Sequence, residues 1–232
     1  MEFSPEGPKA IPLWVNGRAF LTVTESFFDV VNPHSGEAVH RVPLCGAAEA
    51  AEAAGAARAA QPAWAALAPE ARQACLDALA DGLDRYTGHF VKLLRGDTGF
   101  PEAQAQDEVA AALAALRGTV VGEAGVVALV VDATRPLAGF AEAAAPILRA
   151  GGAVIVKPSP KAPAAAFALC ELSGRAAWPP GVLNLMQGDT EAIDGLCCGG
   201  IDRLVYAGNA ALGVQVGAIA DAAGKPYVML AS

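Results

Sequence analysis

Two segments of this chain carry residue types suited to holding a nucleotide. Lys157-Pro158-Ser159 directly follows the short apolar run Ala153–Val156, which reads as a β-strand. A cation at the carboxyl end of a strand, with a hydroxyl beside it and a helix starting nearby, suits a ribose or a phosphate. The same residues would equally serve as a surface lysine next to a proline that stops the strand. The second segment, Gly208-Asn209-Ala210-Ala211-Leu212-Gly213, follows the apolar run Leu204–Tyr206 and opens a helix. Glycine there permits close approach by a ligand, and free helix amides can receive an anion, although tight turns also use glycine for structure alone. The segment is not a P-loop, because Val214 and Gln215 stand where Lys and Ser/Thr are required, and no GxGxxG fingerprint occurs.

Other chemistry finds little support. His34, His40 and His89 lack metal-ligand spacing, and Ser35 has no GxSxG elbow around it. Glu171 and Glu191 read as solvated helix carboxylates rather than an acid/base pair. Cys45, Cys75, Cys170, Cys197 and Cys198 form an odd set without a CxxC pair, and the adjacent pair cannot readily close a relaxed disulfide. Buried free thiols in a reducing compartment are expected. The 24 acidic and 16 basic residues give a net charge of −8, which opposes binding to nucleic acid or to an anionic membrane. The longest apolar run, Ala124–Val131, has eight residues, and MEFSPEGPKA has no basic region followed by an apolar one. A cytoplasmic protein without metal is the expectation.

The elements that must position these residues follow from pattern. Asn16-Gly17 between Leu13–Val15 and Phe20–Val23 signals a β-hairpin. Ala47–Ala60 favours helix, with Pro62 as punctuation. Leu76, Leu79, Leu83, Tyr86, Phe90 and Leu93 recur every three or four residues and predict one long helix face, broken by Gly96–Gly99. Glu102–Leu116 is a further helix. Beyond Gly118 the rhythm changes: strands at 126–131, 153–156, 182–186, 204–206 and 227–230 alternate with helices at 137–149, 162–176, 191–197 and 210–222. Such alternation specifies an α/β fold, a Rossmann-like doubly wound sheet of about five parallel strands with an N-terminal helical segment and a short β-hairpin. Residues 1–232 are expected to form one domain, the hairpin and helices over 13–118 and the βα units over 124–230. A ligand belongs beyond the carboxyl ends of the strands.

Order and spacing also carry a resemblance. FFDVVNPHSGEAVHRVP, AARAAQPAWAALAPEARQACLDALADGL and DTGFPEAQAQDEV, then GGAVIVKPSPKAPAAAFALCELSGRAAWPPGVLNLMQGD, resemble the N-terminal, NAD(P)-binding part of an aldehyde dehydrogenase over roughly Leu13 to Leu230. The resemblance implies that Lys157 bonds the adenosine ribose, with Ser159 beside it. It likewise implies that Gly208 and Gly213 belong to the phosphate-facing turn, with Asn209 in place of a serine that touches the pyrophosphate. Pro160 replaces an acidic partner of the lysine, so NAD or NADP is expected to bind weakly. The family's catalytic cysteine lies in a downstream domain absent from these residues, and none of the five cysteines falls at its motif. Ala231 stands in place of the glutamate base, and Asp132-Ala133-Thr134 in place of the Pro-Trp-Asn that supplies an oxyanion donor. The connector Gly118–Gly125 is shorter than the family's oligomerisation hairpin, so the usual dimer is not expected. The resemblance thus implies a noncatalytic domain serving another protein chain as structural or regulatory partner. Two alternatives stay open: an NAD(P)-binding protein, or the cofactor half of a dehydrogenase completed by another chain.

Overall fold

A computed structural model describes residues 8–22, 24, 26–176 and 178–231. Five short strands come first: β1 (Lys9–Ala10), β2 (Leu13–Val15), β3 (Arg18–Phe20), β4 (Phe27–Val31) and β5 (Ala38–Pro43). Four helices follow, α1 (Ala47–Ala65), α2 (Pro69–Arg85), α3 (Thr87–Thr98) and α4 (Glu102–Arg117). The remainder alternates as β6 (Val126–Val131), α5 (Ala138–Arg149), β7 (Ala153–Pro158), α6 (Ala164–Arg175), β8 (Leu183–Leu185), α7 (Thr190–Cys198), β9 (Arg203–Gly208), α8 (Ala210–Ala222) and β10 (Tyr227–Ala231).

The main sheet has the order β10-β9-β6-β7-β8-β2-β3. Its first five strands are mutually parallel, as the βα alternation predicts. The hairpin extends it to seven strands, because β2 lies antiparallel to β8 through the pair Trp14 and Leu185. Asn16 and Gly17 both take positive φ, 53° and 76°, as a tight two-residue hairpin turn requires. Val23, the end of the predicted second hairpin strand, lies outside the described residues. A separate three-stranded sheet has the order β1-β5-β4.

Why β6 is apolar at every position is visible in the two cores it divides. Val127, Leu129 and Val131 face a cluster built from α2 to α6, while Val126, Ala128 and Val130 face one built from α1, α7 and α8. Successive strand side chains point to opposite faces, so a strand covered on both faces has no polar position left.

Two helix expectations are corrected. Helix α1 runs through Pro62 to Ala65. A proline inside a helix costs about 3 kcal/mol, and here Trp64 beyond it is fully buried, stacks on Trp178 at 5.4 Å and donates from Nε1 to the Leu148 carbonyl at 2.9 Å. The predicted long helix is instead two, because Tyr86 leaves helical geometry (φ −105°, ψ 18°) and joins α2 to α3. Gly99, at φ 71°, caps α3 in the left-handed conformation.

The five cysteines are free: Cys45, Cys170 and Cys197 are buried, Cys75 is half-buried and Cys198 is exposed. Burial pushes the Cys45 thiol up to about 12 and that of Cys197 to about 11, and raises Cys170 as well. A thiol reagent added to native protein at pH 8 should therefore titrate Cys198 rapidly and Cys75 slowly, whereas guanidinium should expose all five. Rapid native modification of Cys45 or Cys170 would contradict this packing.

Candidate functional site

In the main sheet the strand order reverses at β6, whose neighbours are β7 on one side and β9 on the other. Crevices form outside the carboxyl ends of strands at such a reversal. A cavity of about 400 Å³ opens there, lined by Lys157 and Ser159 from the end of β7, Asp132 from the end of β6, and residues of α7 and α8.

Strand β7 does not stop at Val156. It pairs with β6 through Val130 opposite Lys157 and Val131 opposite Pro158. Lys157 is consequently held inside the sheet at 3% exposure, which removes the surface-lysine reading. Its hydrogen bond is to the adjacent Pro158 carbonyl, at 3.2 Å, leaving most of the donor capacity of Nζ toward the cavity. Burial pushes the amine down to about 8, partly countered by the charge of Asp189. A desolvated amine in a cleft is characteristic of a functional position.

Gly208 and Asn209 lie at the rim, where β9 passes into α8. Gly208 has φ 148°, and an added Cβ would collide with the Asp132 carboxylate. Asn209 caps α8, its side chain accepting from the Ala211 amide at 2.8 Å. Gly213 is placed differently, inside α8 and buried against Tyr206 and Met229, where a Cβ would not fit. Its position serves close packing of α8 on the sheet. The structure thus brings Lys157 and Ser159 together on the cavity wall, puts Gly208 and Asn209 beside it, and sets Gly213 behind it.

Asp132 is the polar centre of this region, and sequence reasoning noted it only as a replacement. Its Oδ2 accepts from the Asn209 amide at 2.6 Å and the Tyr206 hydroxyl at 3.1 Å. Its Oδ1 accepts from the Thr134 amide at 2.8 Å and the Thr134 hydroxyl at 2.5 Å. Burial raises the carboxyl, but these four donors outweigh it and hold it below the ordinary range, so the group is ionised. Asp189 is the other carboxylate missed: it caps α7 and lines the same cavity. Its signal was the Asp189-Thr190 pair opening a helix.

His40, another of the candidates, has a structural partner. His40 Nδ1 lies 3.0 Å from Asp97, whose other oxygen accepts from the Ala164 amide, tying the small sheet to α6. Among the described residues no group of three or more His, Cys, Asp or Glu could hold a metal ion.

Comparison with known families gives matches to the aldehyde dehydrogenase family model over residues 20–124 and 119–231. The chain belongs to the aldehyde dehydrogenase family. Glutarate-semialdehyde dehydrogenase of Pseudomonas putida is 28% identical over 228 residues, covering 88% of this chain and 48% of that protein. N-succinylglutamate 5-semialdehyde dehydrogenase of Escherichia coli is 31% identical over 226 residues, covering 88% and 45%. The lactaldehyde dehydrogenase structure from Escherichia coli superposes with a TM-score of 0.89 at 23% identity, over 96% of this chain and 52% of that one. An indole-3-acetaldehyde dehydrogenase of P. syringae in complex with NAD⁺ gives 0.88 at 24%, over 98% and 52%. The chain therefore spans about half the length of the family members it matches. Among its described residues, no helix is long and apolar enough to cross a membrane.

Proposed function

We propose that this chain is a nucleotide-binding aldehyde dehydrogenase-family domain of the cytoplasm that does not itself oxidise aldehydes and serves another protein chain as a structural or regulatory partner. The observation that carries the reading is the loop after β6. Thr134 stands where the family places an oxyanion donor, and both its amide and its hydroxyl are spent on Asp132. Losing one such donor costs about 10²- to 10³-fold in rate. Ala231 cannot act as a base in place of the family glutamate. The buried thiols Cys45, Cys170 and Cys197 are all pushed away from the thiolate that covalent catalysis needs.

For NAD or NADP the fit is divided. The buried Lys157 amine, with Ser159 beside it on the cavity wall, suits a ribose diol. The ionised Asp132 at the start of α8 does not suit a pyrophosphate, which supports weak binding. A nicotinamide cofactor would supply hydride acceptance, and this chain's part would be to hold and orient its adenosine end.

Partnership is supported by apolar surface at the sheet edge. Val228, Met229 and Leu230 of β10 are 43%, 40% and 45% exposed, with Leu212 and Val214 of α8 exposed nearby. Exposed apolar side chains on an edge strand with one open side mark an interaction site. Residues 118–125 form no strand, consistent with loss of the usual family dimer.

The test combines turnover with capture. Purified chain with NAD⁺ or NADP⁺ and a short aldehyde should give no NADH or NADPH above solution background, and a pull-down from native lysate should recover a stoichiometric protein partner. Turnover by the isolated chain would overturn the noncatalytic reading, and capture of no partner the structural one. The same β10 edge supports a second reading, the cofactor half of a dehydrogenase, which a captured partner that restores aldehyde oxidation would establish.

A further inference from the structure

We infer that the cavity beside Lys157 selects an uncharged nucleoside over phosphate-bearing nucleotides, because Asp132 occupies the anion-receiving end of α8. This rests on the nucleotide-site reading above and sharpens it to a ligand class.

A helix N-terminus favours an anion through its free amides and its dipole. In α8 two of those amides are already engaged, and a carboxylate stands at the helix end. The Asn209 amide donates to Asp132 Oδ2 at 2.6 Å, and the Ala211 amide to the Asn209 side chain at 2.8 Å. The space that glycine at 208 leaves open is filled by the same Asp132 carboxylate, so a phosphate cannot approach the backbone there. Around the cavity Asp132 and Asp189 contribute two carboxylates against one cation, Lys157, the single Lys or Arg of the lining. An incoming phosphate therefore meets a fixed like charge at short range in a partly desolvated crevice, where screening is weak.

The other half of the cavity favours a nucleoside. Ile193, Val216 and Ile219 offer apolar walls to a flat base. Lys157, 3% exposed and bonded within the described residues to the neighbouring Pro158 carbonyl, presents donors to hydroxyl oxygens. A volume of about 400 Å³ is in the range of small-ligand pockets.

The experiment is calorimetry on the full chain at pH 7 with adenosine, ADP and NAD⁺. Adenosine is expected to bind about tenfold tighter than ADP or NAD⁺. Asp132→Asn, which keeps the side-chain shape and an acceptor for Asn209, is expected to tighten ADP and NAD⁺ about tenfold while leaving adenosine within about twofold. ADP or NAD⁺ binding more tightly than adenosine to the wild-type chain would overturn this inference and leave the nucleotide-site reading intact. So would an unchanged ratio in a D132N protein with native circular dichroism; were that variant unfolded, the wild-type ratio decides. No saturable heat from any of the three at millimolar concentration, with Lys157→Ala indistinguishable from wild type, would remove the nucleotide site itself and this selectivity with it.

Discussion

Lys157→Met should be more stable than the wild-type chain by about 3 kcal/mol at pH 7.5, and the advantage should disappear by about pH 10.5. In the unfolded chain the lysine amine holds its proton up to about 10.5, whereas in the folded chain burial lowers this to about 8. Between those values the unfolded state binds more protons, so this group's contribution to stability rises with pH. Below the window the folded protein carries the full cost of a desolvated ammonium. Methionine has a similar reach and no charge, so it removes that cost at neutral pH and gains nothing once the amine is neutral. The quantity to follow is the difference between the two proteins in urea unfolding across pH 7.5 to 10.5. Taking the difference matters, because buried thiols such as Cys45 and Cys197, whose folded values are raised to about 12 and about 11, lose stability as pH climbs and affect both proteins alike. A gap that stays constant across the range would show that Lys157 is solvated. A lysine kept where it destabilises the fold is what a ligand-holding position predicts.

What could be read from the sequence divides according to how local its cause is. The β6 run Val126–Val131 announced a strand covered on both faces, and Asn16-Gly17 announced its hairpin, because each signal lies within a few residues. Lys157 could be placed at the end of a strand, but its burial could not, since that depends on β7 pairing with β6 beyond Val156. Asp132 was legible only as a departure from a family pattern. Its role needs Asn209, 77 residues away, and Tyr206, 74 away, to arrive at the same point. Glycine at 208 looked like an opening for a ligand, and the structure fills that opening with a carboxylate. The same limit explains Pro62, a helix stop by local propensity that is overruled by the packing of Trp64 on Trp178. The docking of the hairpin on β8 through Trp14 and Leu185 is likewise a long-range event.

Leu83→Ala should destabilise the protein by about 2–5 kcal/mol, whereas Tyr86→Ala should cost about 1 kcal/mol. Both residues belong to one apolar periodicity, so a single continuous helix would give them similar roles. The structure separates them. Leu83 is fully buried on α2, in the same core as Leu76, Leu79, Phe90 and Leu94, where α2 packs against α4 and α6. Tyr86 sits at the break between α2 and α3 and is 41% exposed. Removing the Leu83 side chain leaves a cavity that close-packed neighbours refill only in part, while the Tyr86 ring lies at the surface beside Leu172 and Arg175, where water refills the space it leaves. Urea midpoints of the two variants at constant slope provide the measurement. Equal losses would mean that the helix is continuous through Tyr86 and that its whole stripe is core. An unchanged midpoint for Leu83→Ala would mean that this face is not core, and the support that α2 gives to α5 and α6, and through them to the ends of β6 and β7 where Asp132 and Lys157 stand, would have to come from elsewhere.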